Sequence, residues 1–144
     1  MRVFFMLCDF AEVLNGKLYT MGAGWSKFVS TAERSEANIS IAGMIYVPWD
    51  QANRKMEINL ALFDQDGNLM ENQNGKKIEY QGPFEVGRPP GTIRGTELDV
   101  PFAFRFEQIR LKGGRYEFRF NVDQEDLYTC PFDVIELSQP VSES

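Results

Sequence analysis

The sequence predicts an all-β fold, specifically an antiparallel β-sandwich of immunoglobulin-like or jelly-roll type with about eight strands. Apolar and polar residues alternate with the period of two that is typical of half-buried strands. Turn dipeptides rich in Gly, Asn and Asp separate the alternating segments, and no segment carries an amphipathic helical stripe. Short, evenly spaced strands of this kind are typical of sandwiches. A closed β-barrel is the alternative.

The first two predicted strands, residues 3–10 and 19–25, differ from the rest because they are apolar on both faces. Asn15-Gly16 lies between them, and Asn-Gly is the strongest short-range signal for a hairpin with a type I′ turn. A strand that is apolar on both faces must be covered on both. Either a loop of the same chain or another subunit is expected to supply the second cover.

The later predicted strands alternate more regularly, and all but the first of them have one apolar and one polar face. Their apolar positions are Ile39, Ile41, Ile45 and Val47; Met56, Ile58, Leu60 and Leu62; Ile78, Tyr80, Phe84 and Val86; Leu98, Val100, Phe102, Phe104 and Phe106; Tyr116, Phe118, Phe120 and Val122; and Cys130, Phe132 and Val134. The first of these sets is apolar on its alternate positions as well. The pattern therefore predicts a core built from facing strands.

Turns are predicted at Asp66-Gly67, Asn74-Gly75 and Gly113-Gly114, each between alternating runs. Tyr116 enters a strand directly after the last of these turns. Sandwich domains place a tyrosine corner there, with the hydroxyl bonded to upstream backbone. A plain core aromatic is the alternative for Tyr116.

Two segments depart from the strand pattern. Residues 30–37 are polar and predict a loop or a single helical turn, and residues 87–97 contain two prolines and three glycines, so they predict a long exposed connection. We predict one domain over residues 1–137, followed by a C-terminal tail, residues 138–144, with the composition of a disordered segment.

Composition excludes several classes of function. The 144 residues contain no histidine, which removes the Ser-His-Asp triad and the common histidine metal sites. A net charge of −6 gives no basic surface for nucleic acid. Asp64-Gln65-Asp66-Gly67-Asn68 resembles half a calcium loop but has the wrong register, so a simple turn is expected. We therefore expect no enzyme, no cofactor, no metal and no nucleic-acid partner.

The apolar N-terminus is interrupted by Asp9 and Glu12, so we interpret it as a strand and not as a signal peptide. No stretch has the length of a membrane helix, and no membrane association is expected. Without an export signal, Cys8 and Cys130 are expected to be free thiols. These observations predict a soluble cytoplasmic protein.

The predicted partner-binding residues are mainly aromatic. Trp49 follows a strand, where it could stack on a sugar, anchor a partner chain or simply cap the core. Proline stiffens the loop that carries the two arginines, which lowers the ordering cost of binding. The full predicted set is Phe4, Phe5, Phe10, Trp25, Trp49, Arg88, Pro89, Pro90 and Arg94.

Several phrases together resemble a family of small uncharacterised proteins of bacteria and their phages. They are Cys8-Asp9-Phe10-Ala11-Glu12-Val13, Gly22-Ala23-Gly24-Trp25, Val47-Pro48-Trp49-Asp50, Phe84-Glu85-Val86-Gly87-Arg88-Pro89-Pro90-Gly91 and Gly114-Arg115-Tyr116. The resemblance implies no activity, but its phage connection favours a virion component, such as a capsid decoration or minor tail protein that binds other subunits or copies of itself. A carbohydrate-type ligand-binding domain is the alternative.

Overall fold

The computed structural model describes residues 1–33 and 35–137. The described chain consists almost wholly of β-strands. They are β1 (Arg2–Cys8), β2 (Phe10–Leu14), β3 (Lys17–Met21), β4 (Lys27–Ser30), β5 (Glu36–Val47), β6 (Met56–Asp64), β7 (Glu79–Phe84), β8 (Leu98–Arg110), β9 (Gly114–Val122) and β10 (Glu125–Glu136), with one 3-10 turn at Trp49–Gln51. The predicted all-β class is confirmed. No helix in the described part of the chain is long and apolar enough to span a membrane.

The strands form three sheets, and none of them closes on itself among the residues described. One sheet has the order β1-β5-β8, the second has the order β4-β10-β9-β6-β7, and β2 and β3 form a separate two-stranded ribbon. The closed-barrel alternative therefore has no support. Pairing is antiparallel except between β4 and β10, which run parallel, so the expectation of purely antiparallel sheets was wrong at this edge.

The hydrophobic core lies between the three-stranded and five-stranded sheets. The alternating positions of β5 and β9 supply fully buried Ile41, Phe118 and Phe120, and β1 adds Phe5 at 1% exposure. Phenylalanine rings dominate the contacts, with Phe102 and Phe120 centred 5.2 Å apart. The period-two pattern thus positions one face of each sheet inward, as predicted.

Strand β8 contains a bulge that restores its inward face. Ile39 pairs with Phe106 and Ala37 with Ile109, so β8 holds one extra residue between these pairs. Gln108 lies in that interval with φ of 58°, and its N–H donates to Asn38 Oδ1 at 3.0 Å. The bulge brings Ile109 into the core, where it is fully buried.

Tyr116 forms the predicted tyrosine corner. Its side chain is 6% exposed in the core, and its hydroxyl donates to the Lys112 carbonyl oxygen at 2.9 Å. Burial raises the pKa of this hydroxyl above its ordinary value, since ionisation would leave a charge away from water. The bond ties the turn before β9 to the first residues of that strand.

The long predicted loop is present, the loop predicted over residues 30–37 is shorter because its ends belong to β4 and β5, and strands β2 and β4 were not foreseen. The long connection before β8 is exposed and irregular, and a short loop joins β4 to β5. Strand β4 is only four residues long and lies at the edge of its sheet. The predicted tail, residues 138–144, lies outside the described residues.

Candidate functional site

The ribbon of β2 and β3 is formed by the predicted Asn-Gly turn. Asn15 and Gly16 have φ values of 52° and 73°, and both strands pair directly across the turn, from Leu14 opposite Lys17 to Phe10 opposite Met21. Two successive positive φ angles define a type I′ turn, whose twist matches that of the flanking strands. The Asn-Gly turn was predicted correctly, but the strands that it joins were not. The turn joins β2 to β3, whereas the predicted first strand, residues 3–10, corresponds mainly to β1, which pairs with β5.

One face of the hairpin covers the three-stranded sheet on the side away from the core. On β5, Ser40 and Ala42 alternate with core residues, yet they are 2% and 0% exposed. Both hairpin strands, β2 and β3, lie against β5 and β8 in the described part of the chain. Residues 3–10 and 19–25, the strands predicted to need a cover on both faces, keep exposed apolar side chains at Phe4, Tyr19 and Met21 among the described residues. It is β5, whose alternate positions are also apolar, that lies against the hairpin of the same chain.

The opposite face of the hairpin is apolar and open to solvent. Directly paired residues share a face, so Phe10 and Met21 form one row, Glu12 and Tyr19 the next, and Leu14 and Lys17 the third. We call these six side chains the hairpin face. Its apolar members are exposed by 45% (Phe10), 69% (Met21), 49% (Tyr19) and 51% (Leu14).

Backbone hydrogen bonds fix the hairpin to the end of β1. The Asp9 N–H donates to the carbonyl oxygens of Met21 and Gly22 at 3.0 and 3.2 Å, and the Gly24 N–H donates to Leu7 at 2.9 Å. The base of the ribbon is therefore tied on both strands. Its apolar side chains are presented on a pre-ordered scaffold, which lowers the entropy cost of docking.

The three predicted phenylalanines take different positions. Phe10 belongs to the hairpin face, whereas Phe4 is 47% exposed on β1 and contacts Tyr128 edge to face, with ring centroids 5.6 Å apart. Phe5 is 1% exposed and packs against Phe102 and Phe120 in the core. Because its ring is enclosed by its own chain, Phe5 must be removed from the predicted contact set.

Trp25 is half-buried and packs on the edge of the core. Its ring meets Phe132 edge to face at 6.0 Å, and its indole N–H is buried without a hydrogen-bond partner among the described residues. The side chain lies beside the short edge strand β4, in a groove that also includes Lys27 and Arg105. Trp25 is thus mainly a packing residue.

Trp49 and Arg88 form one unit. The Arg88 guanidinium lies over the indole ring, 4.1 Å from its centroid, and donates two hydrogen bonds to the Trp49 carbonyl oxygen at 3.2 and 2.5 Å. This cation–π contact fastens the loop before β8 to the end of β5. One face of the indole is therefore covered by its own chain, which disfavours sugar stacking there.

The loop that contains Pro89, Pro90 and Arg94 is folded into two successive turns. The Thr92 N–H donates to the Pro89 oxygen at 3.1 Å, and the Thr96 N–H donates to the Ile93 oxygen at 3.0 Å. Between these turns Ile93 is 78% exposed. Ile93 was not among the predicted residues, because a single isoleucine in a Gly- and Pro-rich segment carries no pattern.

The predicted contact residues form two separate groups. Strand β1 has its first residue, Arg2, opposite Tyr46 near Trp49, and its last residue, Cys8, opposite Ser40 next to the hairpin. A seven-residue strand spans about 23 Å. Phe10 and Trp25 therefore lie at the opposite end of the three-stranded sheet from Trp49 and Arg88. Leu14, Tyr19 and Met21, the other exposed apolar members of the hairpin face, were not in the predicted set, although Tyr19 and Met21 lie in a strand predicted to be apolar on both faces.

The two cysteines and the acidic turn after β6 have ordinary structural roles. Both cysteines are free, as predicted, and burial raises the pKa of each thiol, which keeps it protonated and unreactive. The Asp64 carboxylate accepts hydrogen bonds from the N–H groups of Asp66 and Asn68, each at 2.9 Å, which lowers the pKa of Asp64. The acidic cluster that resembled half a calcium loop is thus a turn stabilised by its own backbone.

Comparison with known proteins gives a family but no activity. No curated protein matches the sequence. A solved structure, Pseudomonas fluorescens alkylpurine DNA glycosylase AlkC bound to DNA containing an abasic site analog, is similar at 11% identity with a TM-score of 0.41, over 91% of this chain and 30% of that one. The chain thus spans less than a third of that glycosylase, and so weak a likeness carries no conclusion about function. A family model matches residues 3–135, which confirms the resemblance to an uncharacterised family: the chain belongs to DUF6941, a family of unknown function.

Proposed function

We propose that this chain is a non-enzymatic interaction module, built on an immunoglobulin-like or jelly-roll sandwich, whose hairpin face binds a second copy of the chain. The tyrosine corner at Tyr116 supports the immunoglobulin-like variant of this fold. The single observation that carries the function is the hairpin face, which combines four exposed apolar side chains on a two-stranded ribbon. Aromatic and methionine side chains are enriched in protein interfaces.

The charge pattern of the hairpin face favours self-association. A two-fold interface uses the same patch on both copies, so the patch must be complementary to itself. Glu12 on β2 and Lys17 on β3 are the charged members of the face, and they lie on opposite strands in adjacent rows. A facing copy can therefore place an acid near a base on each side. The more specific role in a phage virion stays a prediction from the sequence resemblance, as does binding to other virion subunits.

Sedimentation velocity over a concentration series tests this proposal. The wild-type chain is expected to shift from monomer to dimer as its concentration rises. The double variant Tyr19→Ser with Met21→Ser should stay monomeric, because both side chains are largely exposed and their loss removes apolar contact area without disturbing the core.

The matched control is Ile93→Ser, which removes the most exposed apolar side chain of the loop before β8. This variant is expected to dimerise like the wild type. A wild-type chain that stays monomeric up to millimolar concentration would overturn the proposal, and so would a dimer that Ile93→Ser abolishes and the hairpin variant leaves intact.

A further inference from the structure

The outer face of the five-stranded sheet contains a polar groove, remote from the core and built by β6, β7, β9 and the β9–β10 turn. Its volume is about 610 Å³, within the range of small-molecule sites. The groove residues on β6 alternate with core residues and therefore point away from the interior. Ala61 forms part of the lining and is 1% exposed, so a small side chain leaves room between its larger neighbours.

Three amide side chains cross the groove in one row. Asn59 on β6 pairs with Gln81 on β7 on one side and with Asn121 on β9 on the other. Neighbouring strands lie about 4.8 Å apart, so the row offers alternating N–H donors and carbonyl acceptors at a regular spacing. Gln124, from the turn between β9 and β10, adds a fourth amide to the lining.

Within the described residues, no hydrogen bond uses the side chains of Asn59, Gln81, Asn121 or Gln124. Asn38 and Asn72 illustrate the structural use of an amide: Asn38 Oδ1 accepts from the Gln108 N–H, and Asn72 Oδ1 accepts from two backbone N–H groups at 2.9 and 3.0 Å. The groove amides hold no turn and no bulge. They are therefore available to a ligand.

The turn between β9 and β10 closes one end of the groove, and its sequence is unfavourable for its backbone conformation. Asp123 and Gln124 have φ values of 50° and 70°, a conformation for which Asn-Gly is preferred and which the chain itself builds with Asn15-Gly16. Both side chains line the groove. Asp123 accepts from the Glu57 N–H at 2.9 Å and from Arg54 at 3.3 Å, which fixes its orientation at the rim.

The charges around the groove select the class of ligand. Glu57, Glu79 and Asp123 line it, which disfavours phosphates and other anions. Arginines nearby are already engaged, since Arg54 pairs with Asp123, and Arg119 bonds Glu117 and covers the Phe63 ring at 4.2 Å. Amides and carboxylates side by side suit hydroxyl groups, which donate and accept at once.

We propose that this groove binds a neutral polyhydroxylated ligand, a sugar or short oligosaccharide, through the amide row Gln81, Asn59 and Asn121. This site differs from the sugar-binding hypothesis based on the sequence, which placed the ligand at Trp49. It is also independent of the hairpin face, so a dimer and a sugar complex can be tested separately on the same protein.

The test is a titration of the ¹⁵N-labelled full chain with a panel of glucose, galactose, mannose, N-acetylglucosamine and their β-linked disaccharides. At least one sugar is expected to shift the side-chain amide signals of Asn59, Gln81 and Asn121. Replacing the two amides by Asn59→Ala and Gln81→Ala should weaken binding about tenfold each, by loss of hydrogen bonds. The control Gln73→Ala, an amide outside the groove, should bind like the wild type.

Circular dichroism and thermal unfolding show that each variant is folded before its affinity is compared. The proposal is overturned if no sugar of the panel shifts the groove signals, or if the shifts cluster around Trp49. It is equally overturned if spermidine shifts the groove signals and the sugars do not, because that result assigns the carboxylates to a cationic ligand.

Discussion

At the scale of single residues, the most informative side chains are those that contacts within the chain hold in one position. Tyr116 is bound by its hydroxyl to the Lys112 backbone, and Arg88 is committed to Trp49 by stacking and by two hydrogen bonds. The sequence predicted Tyr116 because a tyrosine after a Gly-Gly turn has a known backbone partner nearby. It could not predict that Arg88 and Trp49 meet, since 39 residues separate them and no periodic pattern links a loop arginine to a strand end.

Gly43 is the residue at which the core tolerates no side chain. A Cβ at this position would lie 2.5 Å from Phe102 Cζ and 2.4 Å from the Phe4 carbonyl oxygen. We expect Gly43→Ala to lower the free energy of unfolding by about 1–3 kcal/mol through overpacking, measured by urea denaturation. Gly87→Ala is the control, because its nearest contact is 3.5 Å away. Equal stability of the two variants would contradict this expectation, because it would show that both the Phe102 ring and the backbone of β1 at Phe4 move aside without cost.

At the scale of elements, alternation predicted most strands, and the failures have physical causes. The bulge at Gln108 changes the phase of β8 after Phe106, so the inward positions Ile109 and Leu111 do not continue the period of two. The four-residue strand β4 is too short for a periodic signal, and its parallel partner lies about a hundred residues further along the chain. Nothing local in its sequence specifies that partner.

The order of the loop before β8 is expected to depend on a clasp, which is the contact of Arg88 with the ring and carbonyl oxygen of Trp49. Arg88→Ala removes the stacking on Trp49 and both hydrogen bonds, so backbone amides of residues 87–97 should exchange with solvent faster than in the wild type. Arg88→Lys should not restore protection, because an ammonium group cannot reproduce the planar two-bond contact. Hydrogen exchange measured by mass spectrometry checks both variants. Arg94→Ala, in the same loop, should leave exchange unchanged, and faster exchange in that control would argue against a specific clasp.

The turn after β6 is expected to make stability sensitive to acid. The backbone N–H of Asn68 holds the pKa of Asp64 below its ordinary value. The stabilisation is therefore fully present above the unfolded-state pKa, near 3.9, and is lost as pH falls through the lower folded-state pKa. Urea midpoints measured from pH 6 to pH 3 should fall more for the wild type than for Asp64→Asn. Asp66→Asn controls for the lost charge, and parallel curves for wild type and Asp64→Asn would contradict this account.

At the scale of the whole molecule, two sheets share one phenylalanine-rich core and a hairpin forms an additional layer. The sequence predicted the all-β class, the Asn-Gly hairpin and the two-sided apolar strands. It could not show which surface lies under the hairpin, because the same pattern fits burial by this chain or by another. The structure shows that the hairpin lies against β5, where Ala42 is fully buried, and that the opposite face of the hairpin is exposed; this exposed face is the candidate site.

The central claim is that the hairpin face is a self-association surface, and a dilution series followed by ¹⁵N–¹H correlation spectra tests it most directly. The account predicts that amide signals of residues 10–21 shift with protein concentration while those of residues 87–97 stay fixed. It also predicts a rotational correlation time that falls from a dimer's to a monomer's on dilution. Hairpin signals that do not move with concentration, in a protein that tumbles as a monomer throughout, would contradict it.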